Sequence, residues 1–150
     1  MMTNTAWNRL KQLAEQKRDD QARRLGHLVG ARNEAHEKLK LLLEYRRDYF
    51  ARLDDATRAG IDGEGLRNYR TFLAQLERAI EQQTDAMADA QQRVQAAQIA
   101  WRDESRRVDS YQTLDDRRAE ASARDEARRA QKATDEFAAR PRLSLFGGDD

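Results

Sequence analysis

Apolar side chains recur at alternating steps of three and four residues along most of the chain. This spacing repeats every seven residues and predicts helices that pack against each other along one stripe, as in a coiled coil. We call each stripe a seam. The first seam consists of Leu25, Leu28, Arg32, Ala35, Leu39, Leu42, Arg46, Tyr49, Leu53 and Ala56. The second consists of Leu66, Tyr69, Leu73, Leu76, Ile80, Gln83, Met87, Ala90, Val94, Ala97, Trp101, Glu104, Val108 and Tyr111.

Glycine and proline mark the ends of these stretches. Gly60, Gly63 and Gly65 cluster between the two seams, and Pro141 is the only proline. A connection of a few residues cannot return the chain to a parallel start, so the two helices should be antiparallel. The predicted fold class is all-α, a long two-helix antiparallel coiled-coil hairpin with a longer second helix and a disordered C-terminal tail. The predicted boundaries are helix 4–58, turn 59–65 and helix 66–139, forming one domain over 1–140, with the tail at 141–150.

The two predicted helices differ in length. If the turn centres near Ile61, the first helix reaches its end opposite Ala119. At about 1.5 Å per residue the first helix spans roughly 80 Å and the second roughly 110 Å. About 30 Å of the second helix should therefore lack an intramolecular partner and present a charged, exposed C-terminal end.

Composition agrees with an extended helical protein. Leu, Ile, Val and Phe make up only 25 of the 150 residues, whereas Ala, Glu, Lys, Leu and Arg make up 78. The 28 cations nearly balance the 27 anions, which distinguishes the chain from a highly charged disordered protein. The N-terminus has no apolar secretion signal, and no apolar run is long enough to cross a membrane. We therefore expect a soluble, cytoplasmic protein.

Residues that could support catalysis or ligand binding are sparse. His27 and His36 are nine positions apart, which places them on opposite helix faces, so they should not share a metal ion. Residues 60–65 lack the Lys-Ser/Thr ending of a phosphate-binding loop. A two-helix hairpin offers no enclosed cleft. We predict no enzymatic activity, no metal, no cofactor and no small-molecule ligand.

The arginines near the C-terminus do not predict a nucleic-acid interface. After Arg117 they alternate with acidic residues, which argues against nucleic-acid binding.

Several aromatic residues lie off the seams. Tyr45, Phe50 and Phe72 are not at seam positions, and Leu41 and Ala79 widen the apolar stripe close to the turn. This stripe is broader than one partner helix covers. Apolar surface beyond the needs of the hairpin predicts a binding site for another protein.

Individual residues, beyond the shared heptad pattern, carry a resemblance to a known family. The segments that carry it are Leu10–Glu15, Asp19–Asp20, Leu39–Lys40, Leu42, Tyr45, Tyr49, Asn68–Tyr69, Phe72, Leu76–Glu77, Ala79–Glu81, Trp101–Arg102, Gln112–Leu114 and Asp135–Ala138. In these segments the chain resembles the flagellar FliJ family, from about Leu10 to Arg140. Tyr45 and Phe72 off the seams, together with Trp101 on the second seam, make the resemblance more specific than shared heptads.

The resemblance implies a non-catalytic component of the flagellar type III protein export apparatus. Family members are similar in shape to the central stalk of rotary ATPases. The resemblance implies that the end of the hairpin with both termini enters a hexamer of the export ATPase FliI and promotes assembly and turnover of this ATPase. The half near the turn contacts the linker region of the export gate protein FlhA, and family members also handle substrate chaperones. The implied location is the cytoplasm, in peripheral association with the export apparatus at the inner membrane.

The resemblance also implies site residues. The gate-binding surface maps onto Leu42, Tyr45, Tyr49, Phe72, Leu76 and Ala79. Lys38 and Gln83 occupy two further positions of that surface, where Lys38 departs from the expected amide. Charge and position, rather than family residues, suggest the ATPase contacts Arg118, Arg124, Arg128 and Arg129. The alternatives are a generic homodimerising coiled-coil scaffold and the homologous stalk of an injectisome.

Overall fold

The computed structural model describes residues 4–140, which form two α-helices. Helix α1 runs over Asn4–Ala59 and helix α2 over Gly63–Ala139. Within this part of the chain there is no β-strand, which confirms the predicted all-α hairpin with a longer second helix. The tail at 141–150, predicted to be disordered, lies outside the described residues. No helix within residues 4–140 has a stretch long and apolar enough to span a membrane.

The turn between the helices is shorter than predicted and covers Gly60–Asp62 instead of 59–65. Gly60 has a positive φ of 93° and donates its N–H to the carbonyl of Thr57 at 3.3 Å, which ends α1. The Asp62 carboxylate then accepts the N–H of Gly65 at 2.7 Å. Because this N-cap satisfies a free donor of the first helical turn, α2 begins at Gly63 rather than at Leu66.

We expect Gly60→Ala to lower the free energy of unfolding by about 1 kcal/mol, because a Cβ strains a residue with positive φ. Gly63→Ala is the matched control. Gly63 lies within the first turn of α2, and a Cβ there would meet nothing within 4 Å. Gly63→Ala should leave the free energy of unfolding unchanged or raise it by up to about 1 kcal/mol. Urea unfolding followed by circular dichroism measures both, and equal effects would contradict this account of the turn.

The contacts of the chain divide it into two compact units, Met1–Arg106 and Arg107–Asp150. The first contains α1, the turn and the first part of α2, and the second contains the remainder of α2. The single domain over 1–140 stays a prediction. The two units are described separately below.

Within the first unit the helices are antiparallel. Arg46 pairs with Glu77 at 3.2 Å, and Gln83 donates its amide to the Ala35 carbonyl at 2.9 Å. Arg46 and Glu77 lie 15 and 16 residues from Ile61, and Ala35 and Gln83 lie 26 and 22 residues from it, a difference of about one helical turn that the long Gln83 side chain spans. This register is the one that a turn centred near Ile61 predicts.

The burial of side chains follows the predicted seams. All ten predicted seam residues of α1 are partly buried, and most of their neighbours are exposed. On α2 the core consists of Leu73, Leu76, Ile80, Val94 and Ala97. The two seam arginines, Arg32 and Arg46, reach across to Gln91 and Glu77, so their charged ends remain hydrogen-bonded at the edge of the core.

Trp101 is the exception to the predicted α2 seam. Its side chain is 37% exposed, although its heptad position is the same as that of Leu73, Ile80 and Val94. Helix α1 has no large apolar residue between Ala14 and Leu25, which is the stretch that the antiparallel register brings opposite Trp101. A seam position is covered only where the facing helix supplies apolar atoms, so the expectation of a buried Trp101 is wrong.

The second unit contains a long exposed stretch of helix. Val108 and Tyr111 are partly buried, whereas every residue from Asp116 to Arg140 is exposed. Side chains along this stretch pair locally, as Glu120 does with Arg124 at 3.5 Å. Such i,i+4 pairs stabilise a helix that has little packing of its own.

Candidate partner-binding surface

An aromatic cluster lies close to the turn of the hairpin. The ring of Tyr49 lies 4.2 Å from that of Phe72 and 5.2 Å from that of Tyr69, measured between centroids. Phe72 remains 39% exposed, and Tyr45 on the neighbouring turn of α1 is 63% exposed. Exposed aromatic side chains supported by packed ones are typical of protein-binding sites.

We call the six residues predicted to bind the export gate the aromatic surface: Leu42, Tyr45, Tyr49, Phe72, Leu76 and Ala79. Three of them, Leu42, Tyr49 and Ala79, are partly buried, and Tyr45 and Phe72 are exposed. Leu76 is only 7% exposed and packs in the core. Leu76 therefore packs beneath the aromatic surface, whereas Tyr45 and Phe72 are the members of the surface that are exposed to solvent.

Heptad geometry explains why these residues lie together. If the seam residues are labelled a and d, Tyr45, Phe72 and Ala79 occupy g positions, and Leu42, Tyr49 and Leu76 occupy d positions. In an antiparallel pair of helices the g positions of both helices flank the same side of the seam. The aromatic surface therefore lies on one side of the hairpin, the side flanked by the g positions of both helices, which we call the g side.

The opposite side, which we call the e side, also exposes apolar residues. Phe50 is exposed at an e position, and so is Leu43, one heptad earlier. Sequence reasoning noted Phe50 and missed Leu43, although the same heptad labels would have found it. Leu41, predicted to widen the apolar stripe, is exposed at a c position beyond Tyr45.

Lys38 and Gln83, the two further positions of the predicted gate surface, differ in their surroundings. The Gln83 amide is engaged in the cross-helix hydrogen bond to Ala35, so it contributes to pairing of the helices. Lys38 is exposed at a g position, one heptad before Tyr45. Of the two, only Lys38 presents its functional group on the g side.

The arginines suggested as ATPase contacts all lie on the exposed helix of the second unit. At 100° per residue, Arg118 and Arg129 share one helix face, whereas Arg124 and Arg128 share another. Arg124 forms an ion pair with Glu120. The structure therefore does not bring these four arginines to a single face, and a protein that surrounded the helix would be needed to contact all of them.

The described residues offer no site for metal chemistry. Within residues 4–140, no group of three or more His, Cys, Asp or Glu side chains could hold a metal ion. His27 and His36 are both exposed. The features that the described part of the chain presents are an apolar, aromatic side near the turn and a charged helix in the second unit.

Comparisons with known proteins all identify the same family. Residues 4–142 match the sequence model of a family described as "Flagellar FliJ protein". A flagellar FliJ protein of Salmonella typhi is 38% identical over 140 residues, which cover 93% of this chain and 95% of that protein. A flagellar FliJ protein of Escherichia coli strain K12 is 37% identical over 131 residues, which cover 87% and 89% respectively. The family match includes both helices.

Proposed function

Because this chain belongs to the flagellar FliJ family and is a component of the flagellar export apparatus, we propose that it couples the export ATPase FliI to the export gate protein FlhA. In this role it works in the cytoplasm, in peripheral association with the export apparatus at the inner membrane. The proposal requires no catalytic residue, cofactor or metal in this chain. The observation that carries it is the exposed aromatic surface beside the turn.

The gate contact is assigned to the aromatic surface. Tyr45 and Phe72 together present exposed aromatic area that the hairpin does not use for its own packing. Burying aromatic side chains of this kind against a partner is a major source of binding free energy. The linker region of FlhA is the partner that family membership suggests for this surface.

The ATPase contact is assigned to the exposed helix of the second unit. Residues 116–140 present their side chains on all faces of the helix, as a segment enclosed by a ring of subunits requires. Arginines on different faces, among them Arg118 and Arg124, would then meet different FliI subunits. Chaperones of export substrates are further partners suggested by the family, and the family alone supports that role.

Coupling by this protein would be mechanical and allosteric. A helix that contacts nonequivalent subunits of a ring biases the equilibrium among their conformations if it binds them with different affinity. Contact with the gate through another part of the same protein adds a second such bias. The two contacts then influence one another without any chemistry in this chain.

Replacing Tyr45 by alanine tests the gate contact. We expect about a tenfold loss of affinity for the linker region of the cognate FlhA, because a largely exposed aromatic side chain is removed from the aromatic surface. Isothermal titration calorimetry measures the affinity. Phe50→Ala is the matched control, since it removes an exposed aromatic from the e side of the same helix.

The same two variants test whether the contacts are separate. Tyr45→Ala should leave both helix content and stimulation of FliI close to those of the unchanged protein. If FliI stimulation disappeared together with gate binding, the assignment of the two contacts to different parts of the chain would be wrong. Equal losses of gate affinity in Tyr45→Ala and Phe50→Ala would argue against the aromatic surface as the gate contact.

A further inference from the structure

The N-terminal part of α1, residues 4–24, has little packing of its own, and we call it the strap. Its only buried side chains are those of Trp7 and Ala14, which are 7% and 4% exposed. After Ala14 the next large apolar residue of α1 is Leu25. The strap therefore has apolar packing near its N-terminal end and no buried side chain over residues 15–24.

Polar contacts do not replace the missing apolar ones. The seam positions of the strap that follow Ala14 are occupied by Arg18 and Gln21, which are only partly buried. Arg18 pairs with its neighbour Asp19 at 3.4 Å, whereas the two seam arginines further along α1 reach across to α2. In the described part of the chain, none of residues 15–24 forms a hydrogen bond or ion pair with α2.

Two glycines follow the strap within α1. Gly26 and Gly30 are both exposed, and a Cβ at either position would meet nothing within 4 Å. Close packing within the described chain therefore does not require glycine at these positions. Each glycine in a helix interior weakens the helix by about fivefold relative to alanine. Helix α1 is thus easiest to unwind directly after the strap.

Beyond the glycines, α1 is held to α2 by contacts that the strap lacks. Arg32 donates a hydrogen bond to Gln91 at 3.4 Å, and Gln83 donates one to the Ala35 carbonyl at 2.9 Å. From Leu25 onwards the seam positions of α1 are mostly apolar and are all partly buried. A change from weak to firm attachment therefore coincides with the two glycines.

We propose that the strap opens as one unit, with a hinge at Gly26 and Gly30, while the remainder of the hairpin stays paired. Trp7 is the side chain that holds the strap closed. Local opening of this kind occurs where buried apolar contacts are few. An open strap exposes Trp7 and leaves the α2 seam around Trp101 without a facing helix. The chain can thus present two different surfaces in this region while the aromatic surface is unchanged.

Hydrogen–deuterium exchange of the full chain, resolved by peptide, tests the opening. Amides of the strap should exchange at least about tenfold faster than those of residues 31–58. Gly26→Ala and Gly30→Ala together should slow exchange throughout the strap by about tenfold or more, because each favours the helix by about fivefold. Equal protection of the two segments, or slowing confined to the amides next to the glycines, would show that the strap does not open as a unit.

Gly60→Ala is the matched control, because it makes the same chemical change at the turn. It destabilises the whole hairpin but takes no part in the hinge, so exchange of the strap should stay within about twofold of the unchanged protein. If Gly60→Ala accelerated exchange in the strap as much as in residues 31–58, the strap would open only through unfolding of the whole chain. That result would overturn the inference.

The role of Trp7 is tested by truncating its side chain. Trp7→Ala should accelerate exchange of the strap by about tenfold or more, because a buried aromatic side chain is lost, and should leave residues 31–58 within about twofold. Leu13→Ala is the control on the same segment, since Leu13 is 48% exposed, and its effect on the strap should stay within about twofold. Equal acceleration by the two variants would contradict a holding role for Trp7.

Fluorescence gives a second readout of the same opening. The chain has two tryptophans, so Trp101→Phe leaves Trp7 as the only one. In this variant, urea should shift the emission of Trp7 to longer wavelength at a lower concentration than it reduces the helix content seen by circular dichroism. Coincident transitions would overturn the inference. These measurements use the chain alone, so they are independent of whether the proposed contacts with FliI and FlhA are correct.

Discussion

Ending the chain at Ala119 is expected to reduce stimulation of the cognate FliI ATPase to the basal rate. The deletion removes most of the exposed helix over 116–140, to which the ring contact is assigned. It should leave the first unit folded, because none of the deleted described residues is buried and little apolar packing is lost. The measurement is ATP hydrolysis by purified FliI, titrated with the full chain and with the truncated chain.

A chain ending at Arg140 is the control for this truncation. It removes 141–150 and keeps all of α2, so it separates the exposed helix from the tail. We expect it to stimulate FliI as the full chain does. Undiminished stimulation by the chain ending at Ala119 would contradict the assignment, and loss of stimulation in both shortened chains would move the ATPase contact to the tail.

Val94→Asp is expected to lower the free energy of unfolding by roughly 3–5 kcal/mol, several times the effect of Gly60→Ala at the turn. Val94 is fully buried, with 0% exposure, so a carboxylate at this position would be removed from water without a partner. The loss is a large part of the core, since Val94 is one of only five buried residues of α2. Chemical unfolding followed by circular dichroism gives the change.

Ile99→Asp is the matched substitution on the same helix. Ile99 is 60% exposed and lies on the face of α2 opposite the seam, so the change should stay within about 0.5 kcal/mol. Both variants introduce the same charge into the same helix, so a difference between them reports burial alone. If the two were equally destabilised, the seam around Val94 would not be the core of the hairpin.

The fold could be predicted largely from the heptad spacing. Each seam residue of α1 is partly buried where the periodicity predicts it, because a seven-residue repeat alone decides which face of a helix meets its partner. The bounds of the turn could not be predicted from the heptad spacing. Its glycines locate the chain reversal, but the start of α2 depends on the Asp62 cap, which allows two of those glycines to be helical.

The candidate site was predicted in part. Tyr45 and Phe72 are exposed, as residues off the seam should be, and Leu76 is buried, as a seam residue should be, although the resemblance assigned it to the binding surface. Trp101 shows the limit of the pattern, since it is a seam residue that is 37% exposed. A residue's own position specifies the direction in which it points, and the residues opposite it decide how much of it is covered. Trp101 is exposed because α1 has no large apolar residue opposite it, and this depends on the antiparallel register.

Local periodicity and the position of the turn glycines were therefore sufficient for the helices and the antiparallel pairing, whereas individual residues beyond the heptad pattern identified the family. The helices and their pairing follow from the order of residues along one helix and from a connection too short for any other arrangement. How firmly each part of α1 is attached to α2 required the tertiary structure. Which seam arginine reaches across to an acceptor, and which pairs along its own helix, depends on the pairing of two side-chain sets that lie far apart in sequence.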